Sequence, residues 1–111
     1  MMIYSVLEAI QRIESISELN GKLAYDHFTE AKDLPFAAYN YDFDTSGADD
    51  YNGIQWINFR LELYSENRDI TLEQKILKAF IDVELASDSN YIDTERMYMT
   101  AFVFRFPQKL T

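Results

Sequence analysis

Asp42-Phe43-Asp44-Thr45-Ser46-Gly47 is the segment that comes nearest to a chemical motif. It sets oxygen-bearing side chains at alternate positions and a glycine at the sixth, as a calcium-binding loop begins. The twelfth position, where such a loop needs a bidentate glutamate, is Gly53, and both flanks read as strands rather than helices. The segment therefore reads as a polar loop. His27, the only imidazole, follows Asp26 directly. Neighbours on a strand point to opposite faces, so the two are not expected to form an orienting acid–base pair. Asp93 and Glu95 lie two apart but lack a following lysine, and they read as solvent-facing.

Other chemistries lack their parts. No serine sits in a G-x-S-x-G elbow, and with no cysteine there is no thiolate nucleophile, disulfide or sulfur-held zinc. The three glycines, Gly21, Gly47 and Gly53, do not open a helix as a phosphate loop requires. No catalytic, cofactor-binding or metal-ligating residue is expected, and the chain reads as a scaffold or binding domain rather than an enzyme.

The charge balance narrows the partners. The chain of 111 residues carries a net charge of −9, and the stretch from Asp26 to Asp50 holds seven acids against the single base Lys32. Nucleic-acid phosphates and anionic lipid would be repelled by such a stretch over a Debye length of about 10 Å. The 15% aromatic content could supply base-stacking platforms, but these need a basic groove that the sequence lacks. Glu8, Gln11, Arg12 and Glu14 interrupt the first apolar run, so no signal-peptide core or membrane span is expected there. A soluble protein made in the cytoplasm is the expectation, as one domain over residues 1–111 with one core.

The elements that would carry these residues follow from periodicity. Ile3, Val6, Leu7, Ile10 and Ile13 predict an amphipathic helix near 2–16, closed by a turn at Asn20-Gly21. A short strand is expected over Leu23 to Phe28. Pro35 breaks the chain before a strand from Phe36 to Asp44, with Ala37, Tyr39, Tyr41 and Phe43 on one face. Thr45 to Gly53 reads as a surface loop. Ile57, Phe59, Leu61 and Leu63 then alternate with Trp56, Asn58, Arg60, Glu62 and Tyr64 along a strand from Ile54. Thr71, with Gln74 three residues on, reads as the cap of a helix whose stripe is Leu72, Ile76, Ala79, Phe80 and Val83. Ala86 to Asn90 is polar, and Tyr91 to Thr94 is either a short strand or the lead into a hairpin. The last strand, Glu95 to Phe106, is apolar on both faces: Tyr98, Phe102, Phe104 and Phe106 on one, Met97, Met99, Ala101 and Val103 on the other. The order α-β-β-β-α-β-β predicts an α+β fold, with two helices packed on one face of a mainly antiparallel four- to five-stranded sheet.

Two groups project away from the expected core. Trp56, Arg60 and Tyr64 are of types enriched among interface anchors, and Met97, Met99 and Val103 form the second apolar face of the last strand. These six are the candidate interface, and Asp42, Asp44, Asp49 and Asp50 are the candidate acidic loop.

The run Leu34-Pro35-Phe36-Ala37-Ala38-Tyr39, the strand Trp56 to Tyr64 and the helix from Thr71 together resemble the tail-completion, or head-to-tail joining, proteins of long-tailed bacteriophages and prophages. The resemblance spans nearly the whole chain and rests on hydrophobic pattern plus a proline-aromatic dipeptide. It implies a non-enzymatic virion protein, assembled in the bacterial host cytoplasm. It also implies a homo-oligomer, a hexameric ring, at the end of the tail tube, with tail-tube and head-connector proteins as partners. In such a ring the two candidate surfaces would be subunit contacts, and the acidic loop would rim a channel through which DNA passes without sticking. An acidic DNA mimic that occupies a nucleic-acid-binding protein is the alternative.

Overall fold

In the computed structural model, residues 5–27, 33–44 and 54–109 are described, without the side chains of Ile54 and Lys109. Helix α1 (Val6–Glu14) begins where the Ser5 side chain accepts from the Glu8 amide at 3.1 Å, and it ends at Ser15, whose amide bonds back to Gln11. It is shorter than the predicted 2–16, and its phase differs. Ala9 and Ile13 are buried while Leu7, expected in the stripe, is 62% exposed. At 100° per residue Leu7 lies about 160° round the helix from Ala9, on the solvent side. A 3₁₀ turn (Ser17–Leu19) then buries Leu19, and Gly21 turns the chain at φ 76°, as Asn20-Gly21 predicts.

Strand β1 (Leu23–Tyr25) is only three residues long and pairs parallel with β2 (Phe36–Asp44), Leu23 opposite Ala37. The expected strand to Phe28 stops early because Asp26 adopts φ 66°, which ends the extended run; Phe28 itself lies outside the described residues. β3 (Ile54–Ser65) pairs antiparallel with β2 and with β5 (Met97–Lys109), and β4 (Leu85–Ile92) pairs with β5. The sheet is therefore five-stranded, mostly antiparallel, in the order β1-β2-β3-β5-β4. β4 settles Tyr91 to Thr94 as the end of a strand and its turn, and it takes in Ala86 to Asn90, which in the sequence shows only as a polar stretch. An edge strand needs only one paired neighbour, and its polar side chains discourage further pairing, so it shows no apolar alternation. Residues 93–96 form the hairpin turn, and β5 runs on through Pro107 opposite Trp56. β4 has left off at Phe104 by then, so a missing N–H on that side breaks no ladder with it.

Helix α2 (Ile70–Ala79) is capped by Asp69, whose carboxylate accepts from the Leu72 amide at 3.0 Å. The cap is thus Asp69 and not Thr71: the carboxylate adds charge complementarity to the helix N-terminus that a hydroxyl lacks. Leu72, Ile76 and Phe80 are buried as predicted, together with Glu73. The carboxylate of Glu73 is satisfied there by Arg68, through two bonds of 3.3 Å, and by the Thr100 hydroxyl at 3.4 Å. Both helices contribute to one core against Ile57, Phe59, Leu61, Leu63, Phe102, Phe104 and Phe106. Within it Phe59 stacks between Tyr39 (centroids 5.6 Å apart) and Phe104 (5.0 Å), and Phe104 meets Phe80 of the α2 cap at 4.7 Å.

Candidate functional site

With both helices on one side, the other face of the sheet is open. β3 sends Trp56, Asn58, Arg60, Glu62 and Tyr64 to it, because Ile57, Phe59, Leu61 and Leu63 are committed to the core. β5 sends Met97, Met99, Ala101, Val103 and Arg105 to the same side, since Phe102, Phe104 and Phe106 are buried. Register then joins the two groups: Arg60 lies opposite Val103 and Tyr64 opposite Met99. Trp56, Arg60, Tyr64, Met97, Met99 and Val103, read from sequence as two surfaces, form one continuous face.

The centre of this face is a hydrogen-bonded trio on one strand. Arg60 donates from Nε to Glu62 Oε2 at 2.9 Å, and the Tyr64 hydroxyl donates to Glu62 Oε1 at 2.9 Å. Burial, followed by the bond to Glu62, raises the Tyr64 phenol from 10 to about 12. Glu62 sits between Ala38 and Ala101, two small side chains that are buried although they belong to the open face. Larger neighbours therefore close over them. Phe36 stacks on Tyr64 with centroids 5.1 Å apart and extends the patch towards β2.

At the other end, Trp56 is 38% exposed and Val103 42% exposed. Arg105 lies over the Trp56 ring, 4.6 Å from its centroid, and donates to Asp44 at 2.6 Å. Asn58 donates to Asp42 at 2.9 Å. Asp42 and Asp44 thus belong to β2 and to the open face, each bonded to a neighbour across the sheet. Asp49 and Asp50 lie outside the described residues. Beside Trp56 a groove of about 480 Å³ runs past Asn58, Ala86, Val103 and Arg105.

Sequence reasoning did not single out Glu62 or Arg105. Glu62 could have been found, since it falls between two named candidates at strand spacing, but Arg105 matters through Trp56 and Asp44, which only register brings to it. His27 corrects another expectation. Its Nδ1 lies 3.0 Å from Asp26 Oδ2, both side chains being exposed, because the positive φ of Asp26 removes the alternation that would have separated them. Among the described residues no three His, Cys, Asp or Glu side chains come together to hold a metal ion, and no helix is long and apolar enough to cross a membrane.

No model of a known protein family matches the chain, and no curated protein matches it. Among solved structures it is similar to a chain of the virion of a native gene transfer agent particle. The two superpose with a TM-score of 0.55 over 89% of this chain and 90% of that one, at 14% sequence identity. At that identity the likeness is one of fold, and it reaches a component of a virion without reaching the tail-completion proteins in particular.

Proposed function

We propose that this chain is a non-enzymatic structural protein of a phage or prophage virion that acts in tail completion or head-to-tail joining. The observation that carries this reading is the fold likeness to a virion chain of a phage-like particle, extending over about nine-tenths of both chains. The resemblance carried by Leu34 to Tyr39 and Trp56 to Tyr64 supplies the finer role. An open sheet face with an exposed tryptophan, an arginine, a tyrosine and two methionines is suited to bind a second copy or a neighbouring virion protein. On this reading copies associate through that face into a ring at the end of the tail tube, with tail-tube and head-connector proteins on either side. The acids Asp42, Asp44, Asp49 and Asp50 would then rim the channel and keep passing DNA from adhering.

Light scattering on the purified full chain across concentration, alone and with tail-tube protein, tests the assembly. A ring-sized species in either condition is expected, and a strict monomer in both would overturn it. The rim has a separate test. Converting Asp49 and Asp50 to asparagine, which keeps the bonds of Asp42 and Asp44 on the open face, should impair DNA passage while leaving rings intact; unchanged passage and assembly would remove the rim role. The DNA-mimic alternative requires a stripe of unengaged acids, and the bonding of Asp42 to Asn58 and of Asp44 to Arg105 disfavours it.

A further inference from the structure

Beyond the stripe that fills the core, helix α2 and the turn after it carry a second row of apolar side chains, of which Leu77 also packs against the core. Ile70, Gln74, Leu77 and Ile81 follow one another at intervals of four, three and four residues, the spacing of a coiled-coil seam with a polar residue at one inner position. Leu72, Ile76 and Phe80 face the sheet, and this seam lies well round the helix from them. Ile70 is 51% exposed and Ile81, in the turn that closes the helix, is 82% exposed. Together with Leu77 they line a groove of about 630 Å³ whose wall is formed by Lys75 and Lys78. Lys75 is paired with Glu18 at 2.6 Å, whereas Lys78 makes no ion pair among the described residues.

We propose that this groove binds an amphipathic helix of another protein, with apolar residues at its own seam and acidic residues on the flank that meets Lys78 and Lys75. The seam spacing fits a helix rather than a strand, because only helical ridges repeat at three and four. Charge selects the kind of helix. In a chain of net charge −9 the groove is flanked by lysines, so it complements an acidic partner that the rest of the surface repels. A second copy fits poorly, since an α2 against α2 pairing would bring two sets of Lys75 and Lys78 together. The site lies on the helix side of the molecule, opposite the open sheet face, so a subunit engaged through the sheet could still take this partner. It goes beyond the virion reading and does not depend on it.

The test uses the full chain and two fluorescein-labelled helical peptides with leucines at their seams, one flanked by glutamates and one by lysines, titrated by fluorescence anisotropy. The contact is small, and a dissociation constant on the order of 10–100 µM is expected for the glutamate peptide. The lysine peptide should bind at least about tenfold more weakly. Ile81→Glu should weaken the glutamate peptide by about tenfold or more without moving the urea midpoint, since Ile81 is outside the core. Lys78→Glu should reverse the preference between peptides. General attraction to an acidic protein would favour the lysine peptide, so that order in the unmodified chain overturns the proposal, as does indifference to Ile81→Glu. Self-association of the chain that Ile81→Glu abolishes in sedimentation would overturn it too, because the groove would then belong to a second copy.

Discussion

Arg105 and Trp56 meet across the β3–β5 pair, guanidinium over indole at 4.6 Å, and Arg105 at the same time holds Asp44 of β2 at 2.6 Å. One side chain thereby links three strands on the open face. The contact is partly exposed and contributes about 1 kcal/mol to the isolated fold. Trp56→Ala should therefore change the urea-unfolding free energy by only about that amount. On the proposed reading it should raise the concentration needed for self-assembly about tenfold or more. A large loss of stability with assembly unchanged would instead assign Trp56 to the fold.

Tyr64 makes a prediction at alkaline pH. Its folded value, about 12, lies above its ordinary value of 10, so the folded state holds the proton more tightly. The associated stability is complete below pH 10 and is lost as pH rises from there towards 12. Tyrosinate absorbance should show a late component that Tyr64→Phe removes, with a cost of about 1 kcal/mol at neutral pH. Glu62→Gln should bring that component to lower pH; no change would mean that burial alone sets it.

Arg12 ties the end of α1 to the turn after α2. It donates to both oxygens of Asp82, at 2.6 and 3.1 Å, and to the Ala79 carbonyl at 3.1 Å, and it lies over the Phe80 ring. The bond from Arg12 holds the Asp82 carboxyl well below the usual carboxylate range. Its stability is therefore present above about pH 4, where an unfolded aspartate is already ionised, and declines as pH falls below that. Asp82→Asn should flatten the acid limb of the stability profile. Arg12→Lys should behave nearly as Arg12→Ala, losing about 1 kcal/mol, because an ammonium cannot span both oxygens and the carbonyl. Full rescue by lysine would show that charge alone suffices.

The phase of α1 has a direct test. Leu7→Ala should fall within about 0.5 kcal/mol of the parent in chemical denaturation, as a solvent-facing substitution. Ile13→Ala, at a buried position, should cost about 2–5 kcal/mol. Comparable losses at the two positions would mean that Leu7 is covered.

Gly21 isolates a backbone effect. A Cβ added there meets nothing within 4 Å, so Gly21→Ala tests only the positive φ of 76°. The expected cost is about 1 kcal/mol, and a neutral result would show that the turn relaxes to another conformation.

The elements were legible where one side of a segment is buried along its whole length. Ile57 to Leu63 and Leu72 to Phe80 announce themselves because burial on one side repeats with the period of the backbone. α1 was legible as a helix but not in phase, since Leu7 is as apolar as its buried neighbours and nothing local marks it as exposed. β4 was legible only at its Tyr91 end and not in its extent, because an edge strand is held by backbone bonds to Met97–Phe104 and its side chains need follow no pattern. Thr71 looked like a cap by its spacing to Gln74, yet the chain folds so that Asp69 reaches the Leu72 amide first.

The sequence by itself determined the order of helices and strands, the two-sided apolar character of β5, and the concentration of acids between Asp26 and Asp50. These are local or summed properties, set by side-chain period and composition. Tertiary structure decided what lies beside what. That β1 joins parallel at the edge, that β5 inserts between β3 and β4, and that Arg60 faces Val103 are outcomes of pairing between segments far apart in the chain. Such pairing is selected by how the whole apolar surface closes over Phe59 and its neighbours. No single segment encodes it, so the merging of two candidate surfaces into one face emerged only from the folded sheet.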